Sequence, residues 1–409
     1  MPTQEQLERY AEVLIRVGLN VQPDQPVVIR SPIETADFAR LLMEKSYEAG
    51  AATVYVDWRD PLTNRVRLVR EAEEHLAKVP RFLVQKSEEQ CAENAAFLVI
   101  DAEDPDVYAG VDPKRIAMAS KATQAAMKEV NQNFMEDRVT WLVCSIPTGD
   151  WALKMFPNET RDEAIAKLWA AIFKVMRMDH DDPVQAWQDH VDRLEARAAF
   201  LNESNFRFLH YRAPGTDLQV ELPNGHIWQA ARSRNGQGAG FVANMPTEEV
   251  YTMPKRDGVN GTVRSTMPLA YEGVVIEGIE LVFEQGRIIR YHAQSGLDTL
   301  QELIETDEGS HYLGEVALVP VDSPIAELNT LFFNTLFDEN ASCHLAIGEA
   351  YPTCLGGGKG LSKEELLARG ANDSLTHVDF MIGSQQLDID GVLDDGTSVP
   401  LFRAGRWAL

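Results

Sequence analysis

Apolar residues recur at helical spacing over 4–17, where Leu7, Ala11, Leu14 and Ile15 fall on one stripe. Gly18 reads as the stop of that helix, and Pro23 and Pro26 punctuate the loop behind it. The β-branched run 27–29 predicts a short strand, 34–49 a helix ended by Gly50, and 52–58 a second strand. A charged helical stretch follows over 65–78. Residues 96–102 and 139–147 read as further strands, with 113–130 largely helical between them. Strands that alternate with helices at this spacing imply βαβ units and a mainly parallel sheet.

Residues 160–203 carry two more helical patterns, the second opening at Pro183. From about residue 205 the texture changes to short strands and turns, with Asn224-Gly225 and Gln285-Gly286 placed where hairpins turn. The expected organisation is therefore an α/β N-terminal domain with a mainly parallel sheet over 1–200, followed by a mixed α+β domain over 201–409.

Composition narrows the function classes. Of 409 residues, 44% are hydrophobic and 25% charged, the balance of a globular protein able to bury a sizeable core. Net charge is −25, and both halves are acidic, −10 over 1–200 and −15 over 201–409. Nucleic acid and anionic membrane surfaces are disfavoured as partners, because both select clustered Lys and Arg. Cys91, Cys144, Cys343 and Cys354 form no C-x-x-C pair and are too sparse for a disulfide scaffold, which suits a reducing compartment. The first twenty residues lack a basic stretch followed by a continuous apolar one, and no apolar run approaches the ~20 residues of a membrane span. A cytoplasmic location is expected. Neither glycine-rich phosphate-loop pattern is present after a strand, so nucleotide binding of that kind is unsupported.

Most candidate chemistry in the N-terminal half has a plainer reading. His75, His190 and His210 have no acidic partner at ligand spacing along the chain, and His180-Asp181-Asp182 falls at a helix end before Pro183. The acids of 99–104 follow a strand, where α/β sheets often bind ligands, but no histidine accompanies them.

Four segments of the C-terminal half differ. Glu248 and Glu249 sit between Pro246 and Pro254, which deny that run a regular helix. Glu315 opens an apolar strand. Residues 339–352 carry Glu339, His344 and Tyr351, and His377 and Asp379 stand two apart in a strand pattern. Residues i and i+2 of a strand face one side, so this imidazole and carboxylate point together. Nitrogen and oxygen donors of these types suit Zn²⁺, Co²⁺ or Mn²⁺, and a carboxylate-rich set with a bridging acid suits two ions about 3.5–4 Å apart. The glycine run 355–360 reads as a loop, and Cys343 as a small packed residue rather than a nucleophile.

The segments 246–254, 314–320, 339–352 and 377–383, in this order, resemble the aminopeptidase T / aminopeptidase S family of metallo-aminopeptidases, and residues 18–32 resemble its N-terminal domain. The likeness runs nearly end to end. It implies metal ligation by Glu249, Glu315, His344, Tyr351, His377 and Asp379, holding two divalent ions, Zn or Co. Catalytic roles are implied for Glu315, Glu249 and Tyr351, with Glu315 ahead of Glu249 as the bridging carboxylate. Tyr351 is expected either to ligate as phenolate or to donate to a tetrahedral oxyanion, and Glu248 and Glu339 either to support the ligands, to meet the substrate amine or to serve as the general base. The family further implies a homodimer acting on peptides with a free N-terminus. The rival readings are a non-catalytic small-ligand-binding protein and a metal-dependent amidase or esterase that needs no free amine.

Overall fold

The computed structural model describes residues 1–409 apart from Glu103, Glu272 and Gly273. The chain divides into two compact units. One comprises Met1–His190 with Arg232–Pro246, the other Val191–Ala231 with Thr247–Leu409. The helix Pro183–Ser204 contains the first crossing, and the excursion 232–246 returns to the first unit before the second continues.

The first unit is built on strands β1 (Pro26–Pro32), β2 (Thr53–Arg59), β3 (Ala96–Ile100) and β4 (Trp141–Cys144). They form a parallel sheet in the order β2-β1-β3-β4, with helices in the connections, as the alternating pattern predicts. The first helix, Gln4–Val13, opens on a capping box between Thr3 and Gln6. It does not stop at Gly18. The chain widens into a π-helical turn, Leu14–Leu19, and ends at Asn20 in the left-handed conformation. Gly18 is glycine for want of space: a Cβ there would meet Leu142 Cδ2 at 2.6 Å and Met245 Sδ at 2.7 Å. Tyr10 is fully buried, stacks on Phe38 at 5.5 Å and donates its hydroxyl to the Ser145 carbonyl at 2.8 Å.

The helix expected over 65–78 is Pro61–Arg70 and a short turn, Glu73–Leu76, while Arg81–Ala92 is a helix the pattern did not announce. Asp182 accepts from the Gln185 amide at 3.0 Å, so this acid caps the helix that starts at Pro183. Of the acids that follow β3, Asp101 donates its amide to Cys144. Glu103 lies outside the described residues.

The remaining strands, in chain order, are β5 (Phe208–Ala213), β6 (Thr216–Glu221), β7 (Arg232–Arg234), β8 (Gly240–Val242), β9 (Val250–Thr252), β10 (Val259–Arg264), β11 (Leu269–Tyr271), β12 (Val274–Ile276), β13 (Glu280–Glu284), β14 (Arg287–His292), β15 (Leu313–Leu318), β16 (His344–Gly348), β17 (His377–Met381), β18 (Asp388–Val392), β19 (Ser398–Arg403) and β20 (Arg406–Trp407). The β7–β8 hairpin belongs to the first unit, where Asn244 bridges Val143 beside β4.

In the second unit, among the described residues, one antiparallel sheet runs β14-β13-β10-β6-β5-β18-β19-β20 and another β17-β16-β15-β9. With the helix Leu297–Ile304 and several short turns this is the expected α+β texture. Gln285 (φ 48°) and Gly286 (φ 80°) form the tight turn between β13 and β14, as the sequence predicts. Asn224-Gly225 makes a turn that joins no hairpin; the His226 amide closes it on Pro223. His210 has an acidic partner after all, Asp217 at 2.7 Å across the β5–β6 hairpin.

Asp390 on β18 ties the larger sheet. Its side chain is 8% exposed and binds Arg212 of β5 and Arg403 of β19. Burial works against the charged form, but the two guanidiniums overcome it and hold the carboxyl below its usual range. Asp390→Asn is expected to cost about 1–2 kcal/mol, since both arginines are half-exposed and screened. That is a few degrees in Tm by calorimetry. The folded pKa lies below that of an unfolded Asp (~3.9), so this stabilisation is complete above about pH 4 and fades as pH falls through the depressed value. The gap between wild type and variant must therefore close in acid.

Candidate metal centre

The smaller sheet of the second unit carries the donors on one face. In β15, Glu315 and Ala317 share a side, and Ala317 stands opposite His344 of the antiparallel β16. Ala346 and Gly348 follow on the same side of β16, opposite Asp379 and His377 of β17. On the far flank Tyr251 of β9 pairs with Ala317, and Glu249, two residues before it, shares its side. Acids and imidazoles thus surround a floor of Ala317, Ala346 and Gly348, whose small side chains leave the face open. A bulge at Gly314 shifts the register just ahead of Glu315. Only glycine fits there, because a Cβ would meet the Glu349 carbonyl at 2.0 Å.

Segments far apart in the chain therefore converge. Ligand atoms of Glu249, Glu315 and His344 lie within 4.8 Å of one another, and so do those of Glu315, His377 and Asp379. Glu315 belongs to both triads. His344 Nε2 is 3.1 Å from Glu249 Oε2 and 3.5 Å from Glu315 Oε1. His377 Nε2 is 3.5 Å from Glu315 Oε2 and 3.6 Å from Asp379 Oδ1. Each ring is fixed through its other nitrogen: His344 Nδ1 meets the Ser342 carbonyl at 3.0 Å and His377 Nδ1 the Glu349 carbonyl at 2.7 Å. A proton on Nδ1 in each case leaves Nε2 to face the carboxylates, the arrangement of a metal-binding histidine.

The electrostatics are those of donors awaiting a cation. Burial raises the Glu249 carboxyl, against the pull of His344, and Glu315 and Asp379 push it further. Burial also acts on Glu315, but His344 and His377 outweigh it and hold this carboxyl down to about 2. Burial would lower His377, yet Asp379 and Glu315 carry it up to about 10. His344 is raised well above its ordinary value against the same burial cost, by Glu249 and Glu315. Glu249 Oε2 and Asp379 Oδ1 are buried with no hydrogen-bond partner, although His344 Nε2 stands 3.1 Å from the first and His377 Nε2 3.6 Å from the second. Buried lone pairs of this kind are costly unless something positive meets them. The residues fit a divalent-ion site in donor type, number and unmet charge.

Tyr351 follows β16. Its ring lies 4.8 Å from that of His377 and 6.0 Å from that of Tyr251. Burial raises its hydroxyl well above the ordinary value, and Glu315, Asp379, Glu339 and Glu249 raise it further. Glu339 acts on the same cluster, its own carboxyl pushed well up by burial, then by Asp379 and Glu249. Glu248 is in neither triad. Its amide donates to Asn340 Oδ1 at 2.8 Å, while its charge acts on Arg197. Cys343 lies between backbone groups of Val319, with burial pushing its thiol up to about 12, so it is inert packing as expected. The residues sequence reasoning missed are those that hold the ligands: the Ser342 and Glu349 carbonyls, and Asn340. A carbonyl acceptor has no side-chain signature.

Comparison with known proteins covers the whole chain. Residues 3–407 match the thermophilic metalloprotease (M29) family. The chain is 47% identical to aminopeptidase 2 of Geobacillus stearothermophilus over 405 residues, covering 99% of this chain and 98% of that one. It is 48% identical to aminopeptidase AmpS of Bacillus subtilis over 404 residues, with the same coverage. The structure of AmpT from Thermus thermophilus superposes with a TM-score of 0.93 at 42% identity, covering 99% of this chain and all of that one. A match that leaves only the extreme termini outside it, in a chain whose buried donors ask for cations, places this protein in the M29 metalloprotease family.

Proposed function

We propose that the protein is a metal-dependent aminopeptidase that removes the N-terminal residue of peptides at a dinuclear centre. The observation that carries this reading is the membership of Glu315 in both triads. Glu249 and His344 would hold one ion and His377 and Asp379 the other, with Glu315 belonging to both sets. Fully ionised, the carboxylates of Glu249, Glu315, Asp379 and Glu339 would carry four negative charges beside two imidazoles. With the imidazoles neutral, two divalent cations balance that charge. Bound there, the ions supply Lewis-acid polarisation of a carbonyl and acidify water at neutral pH.

The chain's own groups do the rest. Glu339 is the carboxylate beside the triads that belongs to neither, so it is free to take a proton and pass it to the leaving amine. A carboxylate engaged as a ligand is a poorer base. The Tyr351 hydroxyl donates to the oxyanion that develops on the scissile carbonyl. The free α-amine of the substrate is cationic and is drawn to the carboxylates of the centre, which confines cleavage to the first peptide bond. Aminopeptidase names on the full-length relatives support the same substrate class.

We further assign the ion type to Zn²⁺ or Co²⁺ and the assembly to a homodimer. In the first unit β2 is an edge strand, and Tyr55, Trp58, Leu62, Val66 and Phe82 expose apolar side chains on it and on the helices Pro61–Arg70 and Arg81–Ala92. Lys86 joins the second helix to β2 through Asp57 at 2.9 Å. A second copy of the chain seated on these exposed apolar side chains would remove them from water.

Dialysis against a chelator should abolish hydrolysis of an aminoacyl chromogenic amide, and Zn²⁺ or Co²⁺ should restore it. The N-acetylated amide should stay uncleaved; equal turnover of both would identify a general amidase instead. Glu315→Gln and His344→Ala should each lower kcat by at least about 10³-fold with the fold intact by circular dichroism. Tyr351→Phe should lose about 10²–10³-fold while keeping its ions; near-normal turnover in a metal-loaded variant would reject the assigned role. Light scattering should give twice 45.7 kDa. Val66→Asp combined with Phe82→Asp should halve that mass, and a mass unchanged by them would place the interface elsewhere.

A further inference from the structure

We propose that Asp307 is a positioning residue for the His377 half of the metal centre, an inference that rests on the dinuclear reading above. The two histidines are held unequally. His344 lies in β16, flanked by β15 and β17, and its side chain is 1% exposed. His377 is the first residue of β17, at the edge of the sheet, and its side chain is 19% exposed. Its pairing with Gly348 is the last rung of the ladder, where strands fray. Backbone pairing alone therefore leaves the His377 ring less well fixed than the His344 ring.

A polar clasp supplies the missing constraint. Asp307 lies between the helix Leu297–Ile304 and β15, in the lead-in to the strand that carries Glu315. Its Oδ1 accepts from the Ser310 amide at 2.8 Å and from Ser374 Oγ at 2.9 Å, and its Oδ2 from the Leu375 amide at 2.6 Å. One carboxylate thus joins the approach to Glu315 to the approach to His377. Ser374 Oγ also accepts from the Thr376 amide at 3.2 Å, one residue before the histidine.

Glu349 closes the clasp from the other side. Its amide donates to the Thr376 carbonyl at 2.7 Å, and its carboxylate accepts from the Ser374 amide. Its carbonyl accepts a hydrogen bond from His377 Nδ1 at 2.7 Å. Asn372 adds a third tie, donating Nδ2 to the carbonyls of Gly309 at 2.8 Å and Gly348 at 2.6 Å. If segment 374–376 drifts, His377 Nδ1 loses the Glu349 carbonyl and Nε2 turns from Glu315 and Asp379. Glu315 is itself held by its pairing with Ala346 of β16, whereas His377 sits on the last rung, so loss of Asp307 should act mainly on the ion of the His377 half.

The test is Co²⁺ binding to the full-length, metal-stripped protein, followed by visible absorption and equilibrium dialysis. Wild type should take up two ions, and His377→Ala identifies the event that belongs to its half. Asp307→Ala should weaken that same event by about 10-fold or more and alter its absorption band. The other event should stay within about 3-fold of wild type. Asp307→Asn keeps an acceptor for Ser310 and Ser374 but turns an amide toward the Leu375 N–H, and should fall between. Wild-type binding of both ions by folded Asp307→Ala, or equal weakening of both, overturns the proposal. Should Asp307→Ala fail to fold, Ser374→Ala decides: a smaller but selective loss in the His377 event supports the clasp, and no selective loss overturns it. A wild-type protein that takes up fewer than two Co²⁺ ions overturns the dinuclear reading itself, and this inference with it.

Discussion

Carboxylates crowded on one buried sheet face repel one another and lose their water. Glu249, Glu315 and Asp379 are each less than 8% exposed. Neutralising such groups with protons is the recourse left when no other cation is at hand, and the imidazoles facing Glu315 show it: both hold protons far more tightly than a histidine in water. A divalent ion between the same atoms satisfies more lone pairs than a proton does and releases both rings as neutral ligands. The demand for cations is thus a property of the folded chain before any comparison with relatives is made.

The frame that creates this demand is ordinary β geometry applied with small residues. Period-two alternation puts Glu315, His344, His377 and Asp379 on one side, and antiparallel register sets Glu315, His344 and Asp379 around Ala346. Larger side chains at Ala317 or Ala346 would fill the space in which ligand atoms now face one another. The bulge at Gly314 fits the same logic, since it advances Glu315 by a residue relative to β16 and lets the backbone pass against the Glu349 and Gly348 carbonyls. Position, and not unusual residue chemistry, makes the centre.

Local geometry was legible in the sequence; convergence was not. His377 and Asp379 could be placed on one strand face from their spacing alone, and the tight turn at Gln285-Gly286 from its residue types. The parallel sheet followed from alternating patterns. That Glu249, Glu315 and His344 meet came only from family resemblance, because strand order leaves no trace in periodicity. Gly18 misled for a related reason. Its lack of a side chain answers a packing constraint set by Leu142 and Met245, more than a hundred residues away, and not a local helix stop. His210 lacked an acid at ligand spacing in sequence but meets Asp217 across a hairpin whose register the chain does not spell out. The return of 232–246 to the first unit is equally silent, since its strands carry the same texture as their neighbours.

Order within the centre follows the same division between what a sheet fixes and what it leaves free. A ligand in the middle of a sheet inherits its position from two neighbours, so His344 needs little beyond the Ser342 carbonyl. A ligand on the edge inherits half as much, and the chain compensates with side-chain hydrogen bonds from elements distant in sequence. These contacts lie outside the metal-facing side, so they set geometry without competing for the ions. The outer flank of β17 is met only farther along, where Thr266 donates its amide to the Met381 carbonyl at 2.8 Å, so His377 gains nothing from that side. An edge position of this kind leaves a ligand whose place must be secured from outside the sheet, and the hydrogen bonds converging on 374–376 meet that need.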